Sequence, residues 1–184
     1  MLRSGQMLFS AFLKKAFGDS RLKWFIDTPD ALYGIHSICT AGLTLGKQPG
    51  EWHGAGSILQ SLDLLTKQQD CGVHSVICKE GNIFLLEIES AVARGKPVFV
   101  GLPIQLGVDT ANPEYLECVK RTMCMDQCVG IAGGLGSRSF YFWGLANHHT
   151  DDPILLYHDP HVTQPAITSE SEAIRSNFST GRIR

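Results

Sequence analysis

The sequence has no long apolar run, no basic cluster and no marked excess of charge of either sign. Only 18% of its 184 residues are charged and the formal net charge is -2. No stretch approaches the roughly 18 consecutive apolar residues that a membrane-spanning helix requires. A polyanion such as a nucleic acid is therefore not an expected partner. With 43% hydrophobic residues, the composition is that of a soluble globular chain with one main core.

The sequence also lacks a secretory signal and the cysteine density of a small disulfide scaffold. Three residues separate Cys124 from Cys128, one more than a redox pair has, and no second pair stands at zinc-finger spacing. We therefore expect reduced thiols, a cytoplasmic protein, and neither a structural zinc nor any other cofactor. The cysteines are Cys39, Cys71, Cys78, Cys118, Cys124 and Cys128.

Acidic residues are absent from positions 1–18, which contain three basic residues and apolar positions at helical intervals. A mitochondrial presequence has this composition. An amphipathic helix of a folded domain has it as well, and Leu2, Phe9, Phe12, Leu13 and Ala16 would then face a core. We favour the second interpretation.

The periodicity predicts an α+β fold, with helices first and most strands later. The TPD sequence at 28–30 predicts the start of a second helix that ends at Gly42, and a third helix is expected from about Ser57. The NPE sequence at 112–114 predicts a further helix start. Strands are predicted at residues 73–78, 83–88, 97–103, 128–132, 139–144 and 153–157. We expect one domain over residues 1–167 and a polar, unstructured tail over residues 168–184.

The strongest candidate site is Asp159-Pro160-His161, directly after a predicted strand. Residues two apart in an extended segment project to the same side, so the carboxylate and the imidazole would lie together. A carboxylate beside a histidine fixes its tautomer and stabilises the imidazolium, as a nucleophile-activating base requires. A turn in which Asp159 caps backbone amides and His161 is merely exposed remains an alternative.

A metal site is a competing interpretation of the same region. His148, His149, His158, Asp159 and His161 could supply imidazole and carboxylate ligands to zinc or iron in a metal-dependent hydrolase. None of them falls on a helix at HExxH spacing. The glycine-rich GGLG at 133–136 lacks the ending of a phosphate-binding loop, and we expect a hairpin connection there.

Several blocks together resemble the autophagins, the papain-like cysteine endopeptidases of autophagy. They occur in the order of that family and span residues 1–167. The blocks are MLRSGQM at 1–7, DTPDA at 27–31, IH at 35–36, GEWHG at 50–54, PIQLG at 103–107, GIAGG at 130–134 and DPHVTQPA at 159–166.

The resemblance implies a papain-like fold with N-terminal helices followed by a mainly antiparallel sheet. It makes His161 the general base and Asp159 the residue that orients it. Trp52 matches the tryptophan of a loop over the family's cleft, and Gly134 and Gly136 match a second loop beside it. The implied substrate is the ubiquitin-like autophagy modifier, cut after its C-terminal glycine or released from phosphatidylethanolamine. A monomer that meets membranes only through this lipidated substrate is expected.

The sequence departs from the family at both ends. The resemblance places the nucleophilic cysteine immediately before Met1, in a Gly-Cys pair that these 184 residues do not contain, and Ser4 stands where many members have a second cysteine. The stretch after Ile167 does not resemble the family's closing elements. We therefore expect this polypeptide to be inactive as given. A modifier-binding protein without catalysis is the alternative.

Overall fold

A computed structural model describes residues 1–134, 136, 138–150, 153–175 and 180–183. Residues 135, 137, 151–152, 176–179 and 184 lie outside it, so the predicted connection at 133–136 and the predicted tail are described only in part. The helices are α1 (Leu2–Phe17), α2 (Ile35–Thr44), α3 (Ala55–Gln68), α4 (Leu85–Val92), α5 (Leu116–Met123) and α6 (Glu170–Arg175). The strands are β1 (His74–Ile77), β2 (Val98–Gly101), β3 (Ile131–Gly133), β4 (Phe140–Ala146), β5 (Ile154–His158) and β6 (Thr180–Ile183). A 3-10 helix, Gly18–Phe25, follows α1, and another, Pro113–Tyr115, precedes α5.

The first helix packs into the core, as an amphipathic helix of a folded domain should. Phe9 and Leu13 are completely or almost completely buried, together with Ile58 and Leu62 of α3. Burial of side chains of this size stabilises a fold by about 1.5–3 kcal/mol each. The two helices approach closely at Gly5, where a Cβ atom would lie only 2.3 Å from Cγ1 of Ile58. Glycine is therefore required at this crossing.

Two sheets complete the fold. Strands β1 and β2 pair in parallel, with His74 opposite Val98. The other four strands form an antiparallel sheet in the order β3-β4-β5-β6. The predicted α+β class and the mainly antiparallel sheet are confirmed. None of the helices in the described ranges combines the length and apolar character that crossing a bilayer requires.

The strand predicted at residues 83–88 is wrong. Residues 85–92 form α4, and the amide of Ile88 bonds to the carbonyl of Phe84 in helical fashion. The alternation of leucine, glutamate and isoleucine resembles a strand, but leucine and glutamate are also strong helix formers. Only Ala91 of this helix is buried, while Leu85 and Leu86 are 67% and 81% exposed.

The second helix begins later than the TPD sequence predicts. Residues 28–34 form turns, and α2 starts at Ile35 with Gly34 as its N-cap. The turns bring Tyr33 into the core, where its side chain is fully buried and its amide donates to the carbonyl of Trp24 over 2.8 Å. The burial of this large ring explains why the local capping signal at Thr28 does not start a helix.

The remaining predicted elements differ from the structure mainly at their ends. The NPE sequence does begin a helical segment, since the side chain of Asn112 accepts a hydrogen bond from the amide of Glu114. The strand predicted at 128–132 is shorter and starts at Ile131. After Ile167, where the sequence predicts an unstructured tail, the described residues form α6 and β6, and β6 pairs with β5.

Candidate active site

Asp159 and His161 are in direct contact at the end of β5. Oδ1 of Asp159 lies 2.7 Å from Nδ1 of His161 and also accepts a hydrogen bond from its backbone amide over 2.9 Å. The strand ends at His158, and Pro160 and His161 form a turn that brings the two side chains together. The contact occupies Nδ1 and leaves Nε2 as the ring nitrogen that can exchange a proton with another group.

The surroundings of this pair favour the ionised carboxylate. Burial raises the pKa of Asp159, but the backbone amide and the ring of His161, with Arg138, outweigh that effect and lower the pKa overall. The side chains of Asp159 and His161 are 30% and 44% exposed. The pair can therefore hold a negative charge against the imidazole while its open side stays accessible to a substrate.

Phe140 is a neighbour of His161 that the sequence did not single out. Its ring meets the imidazole at a centroid distance of 5.9 Å and an angle of 68°. Phe140 is the first residue of β4, and the next residue, Tyr141, pairs with His158 of β5, three residues before His161. The contact comes from strand pairing across the sheet, and no short-range sequence signal marks it.

The start of α1 reaches the same region of the sheet. Oγ of Ser139 lies 2.9 Å from Oγ of Ser4 and 2.7 Å from Sδ of Met1. Ser4 and Ser139 are almost completely buried. The first turn of α1 therefore contacts Ser139, and the next residue in the chain, Phe140, contacts His161.

The residues predicted to bind substrate are less clearly linked to the Asp159–His161 pair. The side chain of Trp52 is 50% exposed, and in the described residues no ring contact or hydrogen bond joins it to Asp159 or His161. Gly134 follows β3, and a Cβ atom there would lie 2.0 Å from the backbone oxygen of Arg138. Gly136 has a positive φ of 60°. Gly134 and Gly136 shortly precede Ser139 and Phe140 in the sequence, and the ring of Phe140 contacts His161.

The histidines of the alternative metal site lie partly in β5 and partly in the turns next to β4 and β5. His158 pairs with Tyr141 in the β4–β5 register and stacks on the ring of Trp143 at 5.8 Å. His148 and His149 lie in the turn that follows β4. Within the described ranges, which omit Asp151 and Asp152, no three histidine, cysteine, aspartate or glutamate side chains are grouped as metal ligands.

The six cysteines lie elsewhere in the fold. Cys71 and Cys78 are buried, and burial raises the pKa of both thiols. Cys118 and Cys124 are exposed at α5, and the sulfur of Cys128 accepts from the amide of Gly130. In the part of the chain that the structure describes, no hydrogen bond joins any of these thiols to His161.

A family model described as the peptidase C54 catalytic domain matches residues 1–184. The chain is similar to the probable cysteine protease ATG4 of Pichia angusta, with 36% identity over 83% of this chain and 30% of that protein. It is 32% identical to cysteine protease ATG4D of Xenopus laevis, over 85% of this chain and 35% of that protein. It is 33% identical to cysteine protease ATG4C of Homo sapiens, over 78% of this chain and 33% of that protein. The chain therefore spans about a third of the length of these curated relatives.

Proposed function

The chain belongs to the peptidase C54 family, and we propose that it forms the main part of a cysteine endopeptidase in which His161 is the general base. The observation that carries this proposal is the 2.7 Å contact between Nδ1 of His161 and Oδ1 of Asp159. The carboxylate sets the tautomer of the ring and stabilises the imidazolium that forms when Nε2 takes a proton from a thiol. Asp159 itself remains ionised.

We assign the nucleophile to a cysteine that directly precedes Met1 in the family pattern. The contacts of the first turn of α1 support this assignment, because Met1 and Ser4 touch Ser139, and Phe140 touches His161. A thiol at the N-terminus of a helix and beside an imidazole has a lowered pKa, so the thiolate forms readily. The thiolate would attack the scissile carbonyl, and His161 would return its proton to the leaving amine before water hydrolyses the thioester.

The proposed substrate is the ubiquitin-like autophagy modifier, cleaved after its C-terminal glycine. A half-exposed indole at Trp52 and a glycine-containing connection at 134–136 fit a narrow cleft that accepts a tail ending in glycine. A bulkier terminal residue would clash beneath an indole. Release of the modifier from phosphatidylethanolamine would use the same chemistry on an amide of the same glycine.

We place this activity in the cytoplasm. All six cysteines are free, two of them in the buried core, as expected where thiols are kept reduced. The protein would act as a monomer and meet membranes only through the lipidated substrate.

A cleavage assay on a modifier precursor with a C-terminal extension tests the proposal. The 184-residue chain is compared with a form extended upstream through Gly-Cys and the family's N-terminal segment. We expect the extended form to cut after glycine and the shorter form to be inactive, because only the first has the thiol. In the extended form, His161→Ala should abolish cleavage, and His149→Ala, a change of the same kind in the turn after β4, should leave it unchanged.

Three outcomes would overturn the proposal. Cleavage by the extended form that persists in His161→Ala would show that His161 is not the general base. Folded proteins that bind the modifier but do not cut it would instead favour the modifier-binding alternative. Cleavage that depends on stoichiometric zinc would favour the metal-dependent hydrolase.

A further inference from the structure

The contact with Asp159 restrains the His161 ring on one side only. A hydrogen bond at Nδ1 fixes the position of that nitrogen but allows the ring plane to rock about it. His161 is 44% exposed and lies in a turn, so other restraints matter for its orientation. The edge-to-face contact with Phe140 supplies a restraint of this kind, since such aromatic pairs have a preferred geometry.

The ring of Phe140 is itself held by neighbouring strands. It packs edge-to-face on Tyr157 of β5 at 4.9 Å and 72°, and it contacts Phe142 of β4 at 6.2 Å. Tyr157 is two residues before Asp159. The two groups that touch the imidazole therefore both depend on β5, one through the chain and one through Tyr157.

Ser139, the residue before Phe140, contacts the start of α1. Its hydroxyl is buried between Oγ of Ser4 and Sδ of Met1, and with one proton it can donate to only one of them at a time. Buried hydroxyls that are hydrogen-bonded are costly to displace, so this contact fixes the distance between the helix and the strand. Ser139 and Phe140 are adjacent, so one dipeptide touches both α1 and His161.

We propose that Ser139 and Phe140 are positioning residues that set the His161 imidazole relative to the N-terminus of α1, Phe140 by ring packing and Ser139 by its contact with Ser4. The inference rests on the proposed function, because the N-terminus of α1 is where the nucleophile would be. It adds two residues that neither the Asp-His motif nor the glycine-containing connection includes.

Steady-state kinetics of the extended, cleaving form test the proposal. Phe140→Leu should lower kcat by about tenfold and leave KM within about twofold, since a misplacement of well under 1 Å is enough for such a loss. Phe140→Tyr keeps the aromatic ring and should restore kcat to near the parent value. Ser139→Ala should lower kcat by about threefold, the equivalent of one neutral hydrogen bond.

Phe99→Leu is the matched control. It makes the same change in β2, where the buried ring of Phe99 contacts Phe9 and Phe12 and has no ring contact with Phe140, Tyr157 or His161 in the described residues. It should lower stability but leave kcat within about twofold of the parent. An equal loss of kcat in Phe140→Leu and Phe99→Leu, or no loss in Phe140→Leu, would overturn the proposal.

A second measurement needs no catalysis. NMR relaxation of the His161 ring carbons in the 184-residue chain should show a well-ordered ring, and Phe140→Leu should increase its motion while Phe99→Leu does not. Unchanged order of the ring in Phe140→Leu would overturn the positioning role. Failure of the unsubstituted extended form to cleave would count against the proposed function alone, because the NMR comparison remains decisive for Phe140.

Discussion

Replacing Asp159 with asparagine should separate the two roles of this side chain. Oδ1 accepts from the backbone amide of His161 over 2.9 Å and contacts its ring over 2.7 Å. Asparagine keeps an acceptor oxygen for both contacts and loses only the negative charge. We therefore expect the turn to form normally and the imidazolium to lose its counter-charge.

The size of the effect follows from the hydrogen bond. A charge-assisted hydrogen bond contributes about 1.5–3 kcal/mol and a neutral one about 0.5–1.5, so the charge is worth about 1–2 kcal/mol here. The pair is partly exposed, at 44% and 30%, and solvent screening places the value near the lower end. Since 1.4 kcal/mol corresponds to a factor of ten, a loss of about 1 kcal/mol should reduce kcat in Asp159→Asn about fivefold.

Kinetics and denaturation of the extended form check this prediction together. Asp159→Asn should lower kcat with a free energy of unfolding within about 0.5 kcal/mol of the parent. Asp159→Ala removes the acceptor as well, so it should lower kcat further and destabilise the fold by about 1 kcal/mol. Full activity in Asp159→Asn, in a form that still requires His161, would refute the role of the carboxylate charge.

Three further predictions concern stability. The pKa of the Asp159 carboxyl is lowered in the folded protein, so the ionised carboxylate stabilises the fold above the ordinary carboxyl pKa of about 3.9. This stabilisation is lost as the pH falls through the lowered pKa of the folded state. The difference in unfolding free energy between the parent and Asp159→Ala should therefore shrink from about pH 5 downward. Tyr33→Phe removes a buried hydroxyl 3.1 Å from Sγ of Cys71 and should cost about 1 kcal/mol by urea denaturation, whereas no change would show that the hydroxyl is unimportant. Gly134→Ala would place a Cβ atom 2.0 Å from the backbone oxygen of Arg138, and a loss of about 1–3 kcal/mol is expected; a stability equal to the parent's would contradict this close approach.

Elements with a strong periodic signal are predicted well from the sequence. The amphipathic pattern of residues 1–18 identifies α1, and Phe9 and Leu13 lie in the core as expected. The error at α4 has a physical cause. The apolar residues 83–86 suggest a buried strand, but Leu85 and Leu86 are exposed on a helix. Neither the helical conformation of these two residues nor their exposure to solvent follows from the local sequence.

The candidate site is predictable only where it is local in the chain. Asp159 and His161 are two residues apart, and a turn brings them together as their spacing suggests. The contacts of His161 with Phe140, and of Ser139 with Ser4, join residues 21 and 135 positions apart. They depend on the pairing of β4 with β5 and on the packing of α1 against the sheet, which no local pattern encodes. The role of Trp52 stays a prediction for the same reason.

A covalent trapping experiment tests the central claim most directly. The modifier is prepared with an electrophile in place of its terminal glycine carboxylate and is incubated with the form extended through Gly-Cys. We expect one adduct, mapped by mass spectrometry to the cysteine before Met1, and much slower labelling in His161→Ala because the thiolate then loses its imidazole partner. Labelling at an equal rate in both forms, or only at one of the six cysteines of residues 1–184, would contradict the account.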